Sequence, residues 1–251
     1  MTSEDADQGF LSHLIELRSR LMRAMISVVV AFLVLLPFQR RIFDELSRPM
    51  VAALPQGAKL LATGVTSPFL IPLKTTLFAG FLLALPFVLY QAWAFIAPGL
   101  YRHEKRLALP VLVSSVLMFF VGMTYCYYAV FPVVFPVLVG SAPDNVTVAP
   151  DIELYLSFAM RLFLAFGVAF ETPIVVMMLV RFGIASVAKL RQIRPYAIVG
   201  AFVIAAILTP PDVTSQFLLA LPLWLLFELG VLLGNLVGRK AEPDEDAQAA
   251  K

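Results

Sequence analysis

Residues 154–180 read LYLSFAMRLFLAFGVAFETPIVVMMLV, a run broken by one base, Arg161, and one acid, Glu171. A hydrocarbon core of about 30 Å needs about 20 helical residues to cross, so this run spans a bilayer with length to spare. Glu171 stands ten residues, about 15 Å of helix, before Arg181, which puts it near mid-bilayer. Pro173 removes an N–H and displaces the carbonyl of Ala169, so a kink is expected beside the carboxyl group. An acid at that depth is either protonated or turned to a water-filled cavity. A membrane-facing polar site and a structurally hydrogen-bonded acid are the two readings.

Five further apolar runs flank this one: Leu21 to Phe38, Phe69 to Ile96, Leu107 to Val139, Tyr196 to Leu208 and Val213 to Leu236. The chain of 251 residues is 60% hydrophobic and 14% charged, with a mean hydropathy of +0.87. A soluble domain keeps roughly a quarter of its residues charged. The fold class is therefore an all-α integral membrane protein with six transmembrane helices. Residues 1–238 form one membrane domain that begins with an amphipathic helix, and residues 239–251 form a polar cytoplasmic tail expected to be disordered. The run Tyr196 to Leu208 is short, about 20 Å of helix, and Pro210 and Pro211 stop it, so the last two spans make a short hairpin. Pro110, Pro132 and Pro136 predict a bent or tilted third span. Residues 40–66 are the longest connection, with room for short helices on the membrane surface.

Orientation follows from the bases. With the N-terminus inside, cytoplasmic segments hold Arg18, Arg20, Arg23, Arg102, Lys105, Arg106, Arg181, Lys189, Arg191, Arg194, Arg239, Lys240 and Lys251. The opposite side holds only Arg40, Arg41, Arg48 and Lys59. Thirteen to four places both termini in the cytoplasm. The first run is a retained signal anchor, because about 20 residues precede it and Arg40 and Arg41 follow it with no small-residue cleavage site.

The remaining polar residues supply the candidates. Phe10, Leu11, Leu14, Leu17, Leu21 and Met25 follow helical spacing, with Glu16 and Arg20 an i,i+4 pair on the polar face. Glu104 is the one acid among Arg102, Lys105 and Arg106. On these segments alone, a solvated face and local charge balance are the plainer readings. Tyr90, Trp93 and Phe95 fit an interfacial aromatic belt. Lys74 can snorkel from the outer end of the second span, and Arg161 can do the same from the fourth. Glu228 lies at a depth similar to Glu171. His13 and His103 are isolated and Cys126 is alone in an apolar run, so neither a metal site nor a disulfide is expected. A net charge of +2 argues against nucleic-acid binding. No Walker loop, GxGxxG, HExxH or GxSxG occurs, so no enzymatic activity or cofactor is expected. Any energy must come from the membrane potential or proton gradient.

Taken in order, His13-Leu14-Ile15-Glu16-Leu17-Arg18-Ser19-Arg20-Leu21, Tyr90 to Pro98, His103-Glu104-Lys105-Arg106, Ala165 to Glu171 and Leu208-Thr209-Pro210-Pro211-Asp212 resemble the TatC family, the C component of the twin-arginine protein translocase. The resemblance runs from Leu11 to about Gly234. It implies a six-span, cup-shaped bundle in the inner membrane that binds twin-arginine signal peptides and exports folded proteins, driven by the proton-motive force. Glu16, Arg18, Phe95 and Glu104 match the signal-binding patch, and Glu171 matches the acid inside the membrane. Thr209 and Gln216 match positions where partner helices dock, and Pro49 and Asp212 match periplasmic positions. The implied partners are TatA-like and TatB-like single-span proteins, the signal peptides, the lipid bilayer and further copies of the chain. Arg161 falls where an apolar residue is expected. A proton-coupled transporter of a small solute, with Glu171 and Glu228 as relay, is the alternative.

Overall fold

The computed structural model describes residues 3–54, 60–96, 105–143, 149–208 and 213–238, with backbone alone for residues 3–12, 96, 105–108, 208, 214–215 and 237–238. The tail expected to be disordered falls outside them. Ten α-helices are described: α1 Ser3–Leu35, α2 Gln39–Ala53, α3 Ser67–Ile96, α4 Lys105–Tyr125, α5 Phe131–Gly140, α6 Ile152–Phe170, α7 Thr172–Arg181, α8 Val187–Gln192, α9 Arg194–Leu208 and α10 Val213–Gly238. Grouped into continuous apolar stretches, five are long enough to cross a membrane, and Arg194–Ile207 is the shorter sixth. That is the six-span pattern expected, short fifth run included.

The helices fall into two compact units, Met1–Leu117 with Ala142–Met160, and Met118–Ser141 with Arg161–Lys251. In the first, α1 crosses α3 where Gly80 lets the backbones meet; a Cβ there would lie 2.8 Å from the Phe32 nitrogen. Lipid gives helices little hydrophobic reason to associate, so close packing through small residues does that work. The polar side chains of α3 are satisfied. Thr75 and Thr76 donate to the Pro72 carbonyl at 2.9 and 2.6 Å, and the Trp93 indole donates to Ser115 of α4 at 2.8 Å.

The connection after the first span is indeed helical. Leu36–Phe38 tightens into a 3₁₀ turn around Pro37 and α2 follows. Tyr155 of α6 donates to the Leu46 carbonyl at 2.8 Å, and Ser47 and Met50 are buried below it. A second tie holds the rest of the loop. The Leu61 N–H donates to the Pro150 carbonyl at 3.0 Å, and the Ile152 N–H donates to the Leu61 carbonyl at 2.8 Å. Asp151 caps α6, accepting from the Glu153 and Leu154 N–H groups at 2.8 and 3.0 Å. Its other oxygen accepts from the Thr63 hydroxyl at 2.5 Å and the Thr63 N–H at 3.2 Å.

These donors, the Thr63 hydroxyl first, pull the Asp151 carboxyl down to about 2. A depressed acid contributes stability that is fully present above its ordinary value and lost as pH falls through the lowered one. Asp151→Ala is therefore expected to melt below the parent at pH 5 to 7. The gap should close as pH approaches 2, as read by thermal unfolding in detergent.

In the second unit the bent third span has a specific form. Between α4 and α5 the chain widens into a π-turn over Cys126–Val130, just before Pro132. Pro132 cannot donate to the carbonyl of Tyr128, and the wider turn absorbs that missing bond. The packing there is tight: Cys126, Val130, Phe131 and Val134 are fully buried. At the end of α7, Gly183 adopts φ 68° and closes the helix, its N–H donating to the Val180 carbonyl at 3.0 Å. Leu190 of α8 then packs under Val176 and Val231.

Candidate functional site

Three places hold the polar residues singled out above. The first lies where α1 meets the end of α3. Arg20 donates twice to Glu16 Oε1, from Nε at 2.9 Å and Nη2 at 2.6 Å, and its Nη1 donates to Gln91 Oε1 at 3.3 Å. His13 stacks on Phe95, with centroids 4.4 Å apart and planes 18° apart. Glu16 and Phe95 therefore sit on one patch, while Arg18, exposed, lies two residues and about 200° of helix round from Glu16. The Glu16 side chain keeps 41% of its surface open against 23% for Arg20, so the acid is the more accessible partner. Gln91, buried at 5% exposure, was missed by sequence reasoning; one polar residue inside the Tyr90 to Ile96 aromatic segment was the available signal. Glu104 lies outside the described residues.

The second place is the break in the fourth span. The helix ends at Phe170 and restarts at Thr172, with Glu171 between them as the cap and Pro173 in the first turn of α7. The Ile174 and Val175 N–H groups donate to the Glu171 carbonyl at 3.0 Å. The Glu171 side chain is 9% exposed, with both carboxyl oxygens closed off from the surface. The kink expected from Pro173 is thus a one-residue lapse in the helix, within a stretch that runs on from Ile152 to Arg181. Arg161, ten residues earlier on α6, is exposed.

The third place is the α9–α10 hairpin. Gln216 donates to the Phe202 carbonyl at 3.3 Å, beside an edge-to-face contact of Phe202 with Phe217 at 5.0 Å. Thr209 and Asp212, between the two helices in sequence, lie outside the described residues. Towards the other end of the hairpin, Arg194 Nη2 donates to Glu228 Oε2 at 2.7 Å. Glu228 is therefore neutralised by a base that the sequence placed in a loop. Lys74 likewise does not simply snorkel: it pairs with Glu153, which also accepts from the Ser67 hydroxyl at 3.0 Å. Pro49 lies within α2, next to the Arg48–Glu45 pair at 2.8 Å and the Leu46 carbonyl that Tyr155 holds. Among the described residues no three His, Cys, Asp or Glu side chains gather in a way that could hold a metal.

Fold and polar residues together define a multi-pass, all-helical membrane protein with an accessible acid on a helix-end patch and a buried acid at a helix break. The family model for TatC, Sec-independent protein translocase protein, matches residues 12–222. A relative named Sec-independent protein translocase protein TatC in Azotobacter chroococcum mcd 1 is 51% identical, over 95% of this chain and 94% of its own. Its namesake in Escherichia coli strain K12 is 49% identical, over 98% and 95%. A crystal structure of the twin arginine translocase receptor TatC superimposes with a TM-score of 0.77 at 39% identity, covering 90% of this chain and 99% of that one. The chain belongs to the TatC family. The transporter alternative has no support: Glu228, half of its supposed relay, is committed to Arg194.

Proposed function

We propose that this chain is the signal-peptide receptor and core subunit of a twin-arginine translocase, a non-enzymatic component that exports folded proteins. In this reading both termini face the cytoplasm, residues 1–238 form the membrane domain, and the chain sits in the inner membrane. It works there with TatA-like and TatB-like single-span partners and with further copies of itself, driven by the proton-motive force. Glu16 and Glu104 read the two arginines, while Arg18 and Phe95 complete the surface for the residues around them. Glu171 offers a polar point inside the membrane for a partner helix. Thr209 and Gln216 dock partner helices, and Pro49 and Asp212 shape the periplasmic end.

The observation that supports this most is Glu16, open on a patch shared with Phe95 and already engaged with a guanidinium. Guanidinium is planar, always charged and able to form two parallel hydrogen bonds to carboxylate, which ammonium cannot. A receptor built on that chemistry separates arginine from lysine. In membrane vesicles carrying the complete translocase, a signal peptide with Lys-Lys should bind at least about tenfold more weakly than its Arg-Arg counterpart, the loss of one good charge-assisted pair. Equal binding of the two peptides removes the acids from recognition.

A further inference from the structure

Arg20 sits where an incoming arginine would have to go. Its Nε and Nη2 both donate to Glu16 Oε1, and its Nη1 is already in contact with the buried Gln91 on α3. Both N–H groups converge on one oxygen, which falls short of the parallel two-oxygen fork that gives a guanidinium–carboxylate pair its full strength. Arg20 lies one turn along from Glu16 on the same helix and cannot diffuse away when displaced. Gln91, a neutral acceptor held in place by burial, is a seat it can keep when the acid is taken.

We propose that Arg20 is an internal stand-in for a signal arginine, holding Glu16 until a signal peptide takes its place. This inference rests on the reading of Glu16 given above. The exchange swaps one charge-assisted pair for another, so an arriving arginine loses little. An arriving lysine meets the same competitor and offers a weaker pair in return, as it would without Arg20. Arg20 is thus an affinity-setting residue: it weakens binding of either peptide by one common factor, and the preference for arginine stays with Glu16.

The test is Arg20→Gln in vesicles carrying the complete translocase, titrated with fluorescent signal peptides that differ only in Arg-Arg or Lys-Lys. Removing a competing ion pair of this exposure is expected to tighten Arg-Arg binding about two- to fivefold. Lys-Lys binding should tighten by the same factor, so that discrimination is unchanged. In a Glu16→Gln background, Arg20→Gln should change neither value. Should Arg20→Gln not accumulate, Arg20→Lys carries the same test with smaller shifts in the same direction. Weaker or unchanged Arg-Arg binding, or an equal effect without Glu16, overturns the stand-in role and makes Arg20 a structural tie. A Glu16→Gln single variant that binds like the parent overturns the underlying reading instead.

Discussion

Glu16→Ala combined with Glu104→Ala is expected to abolish export of a folded twin-arginine substrate while leaving the amount of membrane-inserted protein unchanged. A hydrogen bond to a charged group contributes about 1.5–3 kcal/mol once the bound peptide covers it, against about 0.2–1 kcal/mol for a pair left open to water. Losing two such contacts costs about 3 kcal/mol, a hundredfold or more in affinity. Glu16 exposes 41% of its side chain, so truncation leaves no cavity, and a folding defect is not the expected cause of failure. Either single variant should keep partial export, because one acid still holds one arginine. The measurement is the fraction of folded reporter reaching the periplasm. Undiminished export by the double variant at normal protein levels removes both residues from the role.

The second large effect is structural. A Cβ at Gly122 would lie 2.5 Å from the Phe166 carbonyl oxygen and 2.9 Å from the Phe170 ring. The first obstacle is backbone, and Phe166 itself is fully buried, so neither side can yield without moving a helix. Gly122→Ala is expected to cost about 1–3 kcal/mol, the usual range for overpacking, and Gly122→Leu enough to prevent folding. Gly200 is the control, since nothing lies within 4 Å of a Cβ built there. Ala at that position should be neutral or stabilising by about 0.5–1 kcal/mol through helix propensity. Resistance to SDS-induced unfolding, followed by tryptophan fluorescence, separates the two. Equal stability of Gly122→Ala and Gly200→Ala contradicts the close crossing of α4 and α6.

The spans were legible because lipid imposes a length and a composition that survive in any one sequence. The lapse at Glu171 was legible because Pro173 lacks a donor, and the helix in residues 39–53 was within what the long first connection allowed. Pairings between helices were harder to see. Lys74 and Glu153 are far apart in sequence, and nothing local to either announces the other. Arg194 and Glu228 could have been found: they lie at nearly equal distances in sequence on either side of Pro210 and Pro211, and two helices that reverse direction there bring such positions to one height. Asp151 also carried its signal, standing directly before an apolar run as a helix cap does. At the recognition patch, Glu16 and Arg20 follow from helical spacing alone. The placing of Gln91 and Phe95 against that pair depends on how α1 packs on α3, which no spacing encodes.

The π-turn at Cys126–Val130 makes the third span a matter of counting. Five residues in this wider turn cover about the same rotation as four in a regular α-helix, so deleting one residue there would regularise the backbone and leave Val134 and Phe135, now sealed inside, on the same face. The same deletion in the regular helix on either side would swing every later residue by about 100°. A single-residue change in the length of this span should therefore fall in that short stretch, and longer ones in the loops.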